Sequence, residues 1–308
     1  MFDLTWERSI PIIDISHDEV NDIFADYDNS LIVDEYSAIR LGCRNSNYAV
    51  STDKGKYLLR LADINGHNNE TLAYELVKGK INVPGLLFNK KKNNLNIFIY
   101  EYIDGISLQK HIIESGQCGR AVIEQTAKAA AVIHNIPEEK TTGFMKYDLP
   151  PYEKWFALFL DNPVINAVIG EDLHNRIQRL VADKQKLILD VNNYRSFIHC
   201  DFRPANMLID ADNKVFFVDW EGAGAGQSLA DIGQFFRYRS FFDLADLVLF
   251  EKVYNEFSIR KLPENWPEMS LLIDLINPLQ MLSYIRDETN KAADLINVIA
   301  ETLNHFEY

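Results

Sequence analysis

Two spacings of apolar residues divide the chain. Up to about residue 104, short alternating runs are interleaved with helical stretches, whereas beyond it a 3.6-residue spacing predominates. Ser16, followed three residues later by Glu19, has the form of a capping box and predicts a helix to about Tyr27. Residues 47–51 and 56–62 read as strands joined through Asp53 and Gly55, a hairpin. Residues 67–79 carry Leu72, Leu76 and Val77 at helical spacing before Gly79; Pro84 then opens a further β stretch, and residues 96–103 form another strand that stops at Asp104-Gly105. Downstream, helical stripes run through 108–113, 122–133, 155–160, 173–189, 244–257 and 271–285. Residues 195–220 break this rhythm with β-like pieces at 197–198, 207–209 and 215–218. The expectation is an α+β fold in two parts, residues 1–104 with an antiparallel sheet plus helix and residues 105–308 mostly helical.

Composition supports a real core and narrows the partners. The chain has 308 residues, 47% of them hydrophobic and 25% charged, which excludes disorder over most of its length. Its net charge of -14 would repel duplex nucleic acid and anionic lipid, so neither nucleic acid nor membrane is expected as a partner. Sixteen acidic and eleven basic residues precede position 105, leaving a net charge of -9 for the remainder. Cys43, Cys118 and Cys200 are odd in number and show no C-x-x-C or Cys/His spacing, as expected of a reduced cytoplasmic protein. The first residues are acidic where an export signal needs a basic start, and no apolar run approaches the ~20 residues of a membrane span. A soluble, non-exported protein is the expectation, with the oligomeric state left open.

The chemistry concentrates between Phe197 and Gly226. Within it His199-x-Asp201-x4-Asn206 is followed by Asp219, which comes directly after the apolar run 215–218. Phosphoryl transfer leaves little covalent work to a protein: one carboxylate orients the acceptor hydroxyl and takes its proton, while a carboxylate and an amide oxygen hold Mg²⁺ against the phosphates. Asp201 suits the first role, and Asn206 and Asp219 suit the second. A plain loop of caps and Asx turns would use the same residue types without this order.

This segment resembles the aminoglycoside phosphotransferase and choline kinase superfamily, small-molecule kinases with a protein-kinase-like two-lobe fold. The likeness rests on His199, Asp201, Asn206, Asp219-Trp220-Glu221 and Asp231, and extends from about Leu41 to Arg239. It implies that His199 and Asp231 brace the catalytic loop; a core histidine and a helix cap would look the same. It also implies that the turn 41–47, including Ser46 and Asn47, covers the nucleotide with backbone N–H groups. Arg60 stands in the strand where the family commonly has a phosphate-contacting Lys, with Lys56 on the same face as the alternative. Its carboxylate partner would be Glu70, with Glu75 as the competitor; the two cannot share a helix face, so at most one pairs with Arg60. Residues 99–105, with Glu101 and Ile103, resemble the inter-lobe connector that reads the adenine edge, and Ile133-His134 the end of a long helix.

The resemblance implies Mg²⁺-dependent transfer from ATP or GTP to a hydroxyl of a small molecule. An aminoglycoside-like amine is the first expectation, with choline, ethanolamine, homoserine and sugars as alternatives. A nucleotide-binding pseudokinase is the reading from another class, and nucleotide turnover separates the two. Glu221 is the first candidate for a cationic acceptor, followed by Asp243, Asp246, Asp287 and Glu288. Trp155, Phe156, Trp220, Tyr238 and Tyr284 are candidates for an aromatic cage, although core packing uses the same residue types.

Overall fold

A computed structural model describes residues 6–40, 42–64, 69–146 and 152–307. Leu41 and His67, where the expected turn and helix begin, lie outside them. The capping box forms as expected: Ser16 accepts from the Glu19 amide and Glu19 reaches back to the Ser16 amide, opening α1 (His17–Tyr27). A five-stranded antiparallel sheet follows, made of β1 (Val33–Ile39), β2 (Ser46–Thr52), β3 (Gly55–Asp63), β4 (Leu86–Lys92) and β5 (Leu95–Glu101) in the order β1-β2-β3-β5-β4. The β2–β3 hairpin pairs Asn47 with Arg60, and β3–β5 pairs Arg60 with Phe98. Strand β1 has no counterpart in the sequence reading, because only Val33 of its seven residues is buried and an exposed edge shows no alternation.

Between β3 and β4 lies α2 (Glu70–Val77). Its buried Ala73 and Val77 belong to the large core of the helical part rather than to the core under the sheet, which is built on Val20, Phe24, Val50, Leu59, Leu61 and Ile99. So α2 presents Glu70 to the sheet while resting on the rest of the molecule.

Residues 102–104 lead out of β5 into β6 (Gly105–Ser107), which pairs with β8 (Met207–Asp210), itself paired with β9 (Val215–Phe217). Two helices precede these later strands, α3 (Leu108–Ser115) and α4 (Arg120–His134), followed by α5 (Trp155–Leu160), α6 (Pro163–Asp183) and α7 (Gln185–Val191). The expected single stripe 173–189 is therefore two helices, and the first begins ten residues earlier than the stripe, with a kink at Gly170, where φ is 78°. Strand β7 (Arg195–Ile198) pairs with β10 (Gly224–Gln227), which leads into α8 (Ser228–Phe235). The chain finishes with α9 (Leu244–Phe257), α10 (Trp266–Asp274), α11 (Ile276–Leu282) and α12 (Thr289–His305).

Helix α8 carries Asp231 toward the catalytic loop, and its depth depends on Gly233. A Cβ there would stand 2.2 Å from the Ser270 carbonyl oxygen and 3.0 Å from Asp274 Cβ, so α8 and α10 meet backbone to backbone at this point. Gly233→Ala should lower stability by about 1–3 kcal/mol through overpacking, read as a lower urea midpoint with an unchanged slope. An unaltered midpoint would show that the two helices separate freely.

Candidate active site

The loop after β7 is held from behind by one buried carboxylate. Asp231, 0% exposed, accepts the His199 amide at 2.7 Å and the Cys200 amide at 3.0 Å, and His134 Nε2 lies 3.2 Å from it. Gln234, one helical turn on, accepts the Phe202 amide at 2.7 Å and donates to the Cys200 carbonyl at 3.0 Å. Four loop polar groups are thus satisfied by two α8 side chains, a rigid mounting in a place where unpaired backbone would be costly. His199 packs on Trp220, with ring centroids 4.3 Å apart, and its Nε2 lies 3.0 Å from the Val218 carbonyl. It therefore spans from the loop to the strand that carries Asp219. Cys200 stands between His199 and Asp201, and burial, together with the charges of Asp231 and Asp201, pushes its thiol well above the usual range and keeps it protonated.

On the open side of the loop Asp201 meets two donors. Arg203 grips it as a fork, Nε to Oδ1 at 2.5 Å and Nη2 to Oδ2 at 2.9 Å, and Asn206 Nδ2 donates to its Oδ2 at 2.6 Å and to its carbonyl at 2.9 Å. Burial pushes the Asp201 carboxyl up, but the Arg203 charge and these hydrogen bonds outweigh it and bring it down to about 2. Asp201 is thus ionised and fixed in direction at neutral pH. Since Asn206 spends its NH₂ on Asp201, its amide oxygen is turned the other way. The Asn206 carbonyl accepts the Val218 amide at 3.0 Å, which sets Asp219 beside it across the β8–β9 hairpin. Asp219 adopts left-handed backbone, φ 69° and ψ 61°, tolerable for Asp and turning the chain back toward the sheet.

There Asp219 joins a buried charge cluster. Arg60 Nη1 donates to Asp219 Oδ1 at 3.0 Å and to Glu70 Oε2 at 3.1 Å, while Nε donates to Asn47 Oδ1 at 3.1 Å. Glu70 Oε1 accepts from the Tyr100 hydroxyl at 2.8 Å, so both its oxygens are held. Burial disfavours the Arg60 charge, yet Asp219 and Glu70 hold the guanidinium firmly protonated. The two alternatives left by the sequence are placed elsewhere: Glu75 makes an exposed ion pair with Lys78, and Lys56 is exposed, its Nζ 5.9 Å from the Tyr102 ring.

The side chains of the residues expected to act through their backbone are placed as follows. Ser46 is buried and its hydroxyl accepts the Ile13 amide at 2.9 Å, so its side chain is turned away from the cleft by the segment that packs behind β2. Glu101 folds back to accept the Gly85 amide at 3.0 Å, and its own amide donates to the Gly85 carbonyl at 2.9 Å, bracing β5. Ile103 lies in the strand-free link 102–104.

Glu221 does not face the later helices. Its Oε2 accepts from Asn45 Nδ2 at 2.8 Å, and its carbonyl accepts the Asn69 amide at 3.0 Å. Burial, then the Asp219 charge, push its carboxyl up to about 7. Its carboxylate is thereby committed to the turn at 42–45, on the nucleotide side of the expected site, and the acceptor role finds no geometric support. Among the later acids, Asp243 and Asp246 cap α9 and Glu288 accepts from Ser9 and the Arg286 amide. Nor do the five aromatics converge: Phe156 and Trp220 are core residues and Tyr284 is 75% exposed.

The sequence reading missed Asn45, Tyr100, Arg203, Asn69 and Gln234. Arg203 carried a signal, a cation two residues after Asp201, whereas Asn45 meets Glu221 across a sequence separation of 176.

The donor set at the cleft is two hard oxygens, the Asn206 amide and the Asp219 carboxylate, beside one fixed cation, a combination suited to Mg²⁺ and phosphate. A curated relative, the "Protein LicA homolog" of Mycoplasma capricolum subsp. capricolum, is 25% identical over 188 residues, covering 61% of this chain and 66% of its own length. Similar folds include a spectinomycin phosphotransferase solved with ADP and spectinomycin (TM-score 0.66, 14% identity, 95% of this chain and 98% of that one). A Plasmodium vivax ethanolamine kinase has the same fold (TM-score 0.54, 17% identity, 92% and 84%). Residues 35–272 match the model of the phosphotransferase enzyme family. That stretch contains nearly all of the sheet, the Arg60 cluster and the loop from His199 to Asp231, and with it the chain belongs to this family.

Proposed function

We propose that the protein transfers the γ-phosphate of Mg²⁺-bound ATP to a hydroxyl of a small amine-bearing molecule. The observation that carries this reading is the convergence of Asp201, Asn206 and Asp219 with the Arg60–Glu70 pair, contributed by β3, α2 and the loops flanking the β8–β9 hairpin. In this reading residues 1–104 bind the nucleotide, and residues 105–308 supply the catalytic loop and the acceptor site.

Asp201, held between Arg203 and Asn206, orients the acceptor hydroxyl. Its low pKa makes it a weak base, so the proton moves late, when the new bond to phosphorus already acidifies the hydroxyl. Arg60 takes the place of the usual Lys and steadies the phosphates, with Glu70, Asn47 and Tyr100 fixing it in a single orientation. Asn206 and Asp219 would hold Mg²⁺, which when bound neutralises phosphate charge. ATP is favoured over GTP by the adenine nucleotides present in similar structures, ADP in one and AMP-PNP in another.

An amine-bearing acceptor is supported by the -9 charge of the helical part and by the relatives: one was solved with spectinomycin, another with hygromycin B, and a third is an ethanolamine kinase. The test is ATP consumption with aminoglycosides, ethanolamine, choline, homoserine and a neutral sugar, each at low and high salt. Above roughly 0.1 M salt the screening length drops below ~10 Å, so a polycation's KM should rise steeply while a neutral acceptor's should not. Preference for homoserine or a neutral sugar over every amine tested would refute the acceptor class and leave phosphotransfer standing.

A further inference from the structure

The amino-terminal segment reaches both parts of the molecule. Arg8 donates to the carbonyls of Gly42 at 2.5 Å and Asn45 at 2.8 Å, and the Ser9 and Ile10 amides both donate to the Cys43 carbonyl at 3.1 Å. Glu7 caps α12 from outside: it accepts the Asn290 amide at 2.9 Å and the Lys291 amide at 3.2 Å, in a helix whose own N-cap residue makes no side-chain cap bond. Trp6 immediately precedes these anchorages. Its Nε1 donates to Asp294 Oδ2 at 3.0 Å, the same oxygen that the Tyr238 hydroxyl reaches at 2.7 Å. Its half-buried ring packs on the helical core, and the Arg203 guanidinium carbon is 5.5 Å from the ring centroid.

We propose that Trp6 is a positioning residue for the phosphotransfer step: it holds the Arg203 guanidinium, and Arg203 holds Asp201. An arginine has long, flexible torsions, and a two-bond fork constrains only its relation to the carboxylate. The indole supplies a further reference, because Asp294 fixes its direction and the Glu7 and Arg8 contacts fix the backbone that follows it. Arg203 is thereby tied to α12, and Asp201 inherits that position through bonds of 2.5 and 2.9 Å. This inference rests on Asp201 being the group that orients the acceptor.

The test compares Trp6→Ala, Trp6→Phe and Asp201→Asn in the full chain. Turnover is read as ADP release from Mg–ATP with water as acceptor, and loop order as amide hydrogen exchange at Arg203 and Asn206, whose amides donate to the Asp201 and Arg203 carbonyls at 2.9 and 2.8 Å. Trp6→Ala should lower kcat about 3- to 10-fold, the loss expected for one partly buried cation–ring contact, with the KM for Mg–ATP within about twofold of the parent. It should also speed exchange at both amides. Trp6→Phe keeps a ring beside Arg203 but loses the bond to Asp294 that directs it, so kcat and protection should both fall between those of the parent and of Trp6→Ala. Parent-like exchange in Trp6→Ala, or a Phe variant as impaired as the Ala variant, would overturn the proposal. The exchange arm needs no turnover. Normal turnover in Asp201→Asn would instead sink the catalytic reading, while the exchange result still reports whether Trp6 holds Arg203.

Discussion

Asp201→Asn should lower kcat by at least ~10², the low end for losing a positioned acid–base group, with little change in nucleotide affinity. The substitution is nearly isosteric. Asn206 Nδ2, now 2.6 Å from Oδ2, can still donate to an amide oxygen at that position, and the two α8 side chains that mount the loop are untouched. What disappears is the charge that Arg203 faces and that draws the acceptor proton. The new amide nitrogen faces Arg203 Nε donor to donor, so the fork opens to the single bond at the remaining oxygen, a loss that a urea midpoint reads apart from turnover. Steady-state kinetics and a Mg–ATP titration read the two effects separately. Near-normal turnover would remove Asp201 from the mechanism.

The parts of this site that the sequence displays are those written in short range. His199, Asp201 and Asn206 share one loop, and the capping box at Ser16 and the hairpin after Ser51 are local rules that the fold obeys. Helices α5 and α9 have the bounds that their apolar stripes predict, since each buries one face against the large core. Arg60 and Glu70, ten residues apart, were legible as a pair with Glu75 as competitor, and the placement of α2 on the helical body is what brings Glu70 to Arg60.

What stayed hidden depends on long-range packing. Strand β10, with sequence Gly-Ala-Gly-Gln, has almost no β propensity and exists because β7 supplies its partner. Helix α12 buries Leu295, Val298, Ile299 and Leu303 at helical spacing, a signal present in the sequence and not read from it; its missing cap comes from Glu7 at the far end of the chain. The side-chain commitments of Ser46, Glu101 and Glu221 followed the same pattern. Each side chain is claimed by a backbone amide or an amide side chain that only the fold brings near.

Asp219 is the second position where a single change should abolish activity, and its neighbours make the outcome diagnostic. Glu70, Asp219 and Glu221 surround one guanidinium, so the cluster has more carboxylate than Arg60 can neutralise. Removing Asp219 leaves Arg60 paired to Glu70 at 3.1 Å and relieves the repulsion that raises Glu221, so no buried charge is orphaned. Loss of activity therefore cannot be put down to a collapsed ion pair. Asp219→Ala should cost on the order of 10³ in kcat/KM, equivalent to the several kcal/mol of charge stabilisation that a coordinated metal supplies, and should weaken Mg–nucleotide binding. Ala also fits left-handed backbone poorly, at about 1–2 kcal/mol, a loss that would appear in the denaturation midpoint. Asp219→Asn separates the two causes, because Asn adopts that conformation readily and should keep the parent midpoint while still losing metal affinity and turnover. A variant of either kind that binds Mg–nucleotide as the parent does would show that Asp219 holds Arg60 and nothing else.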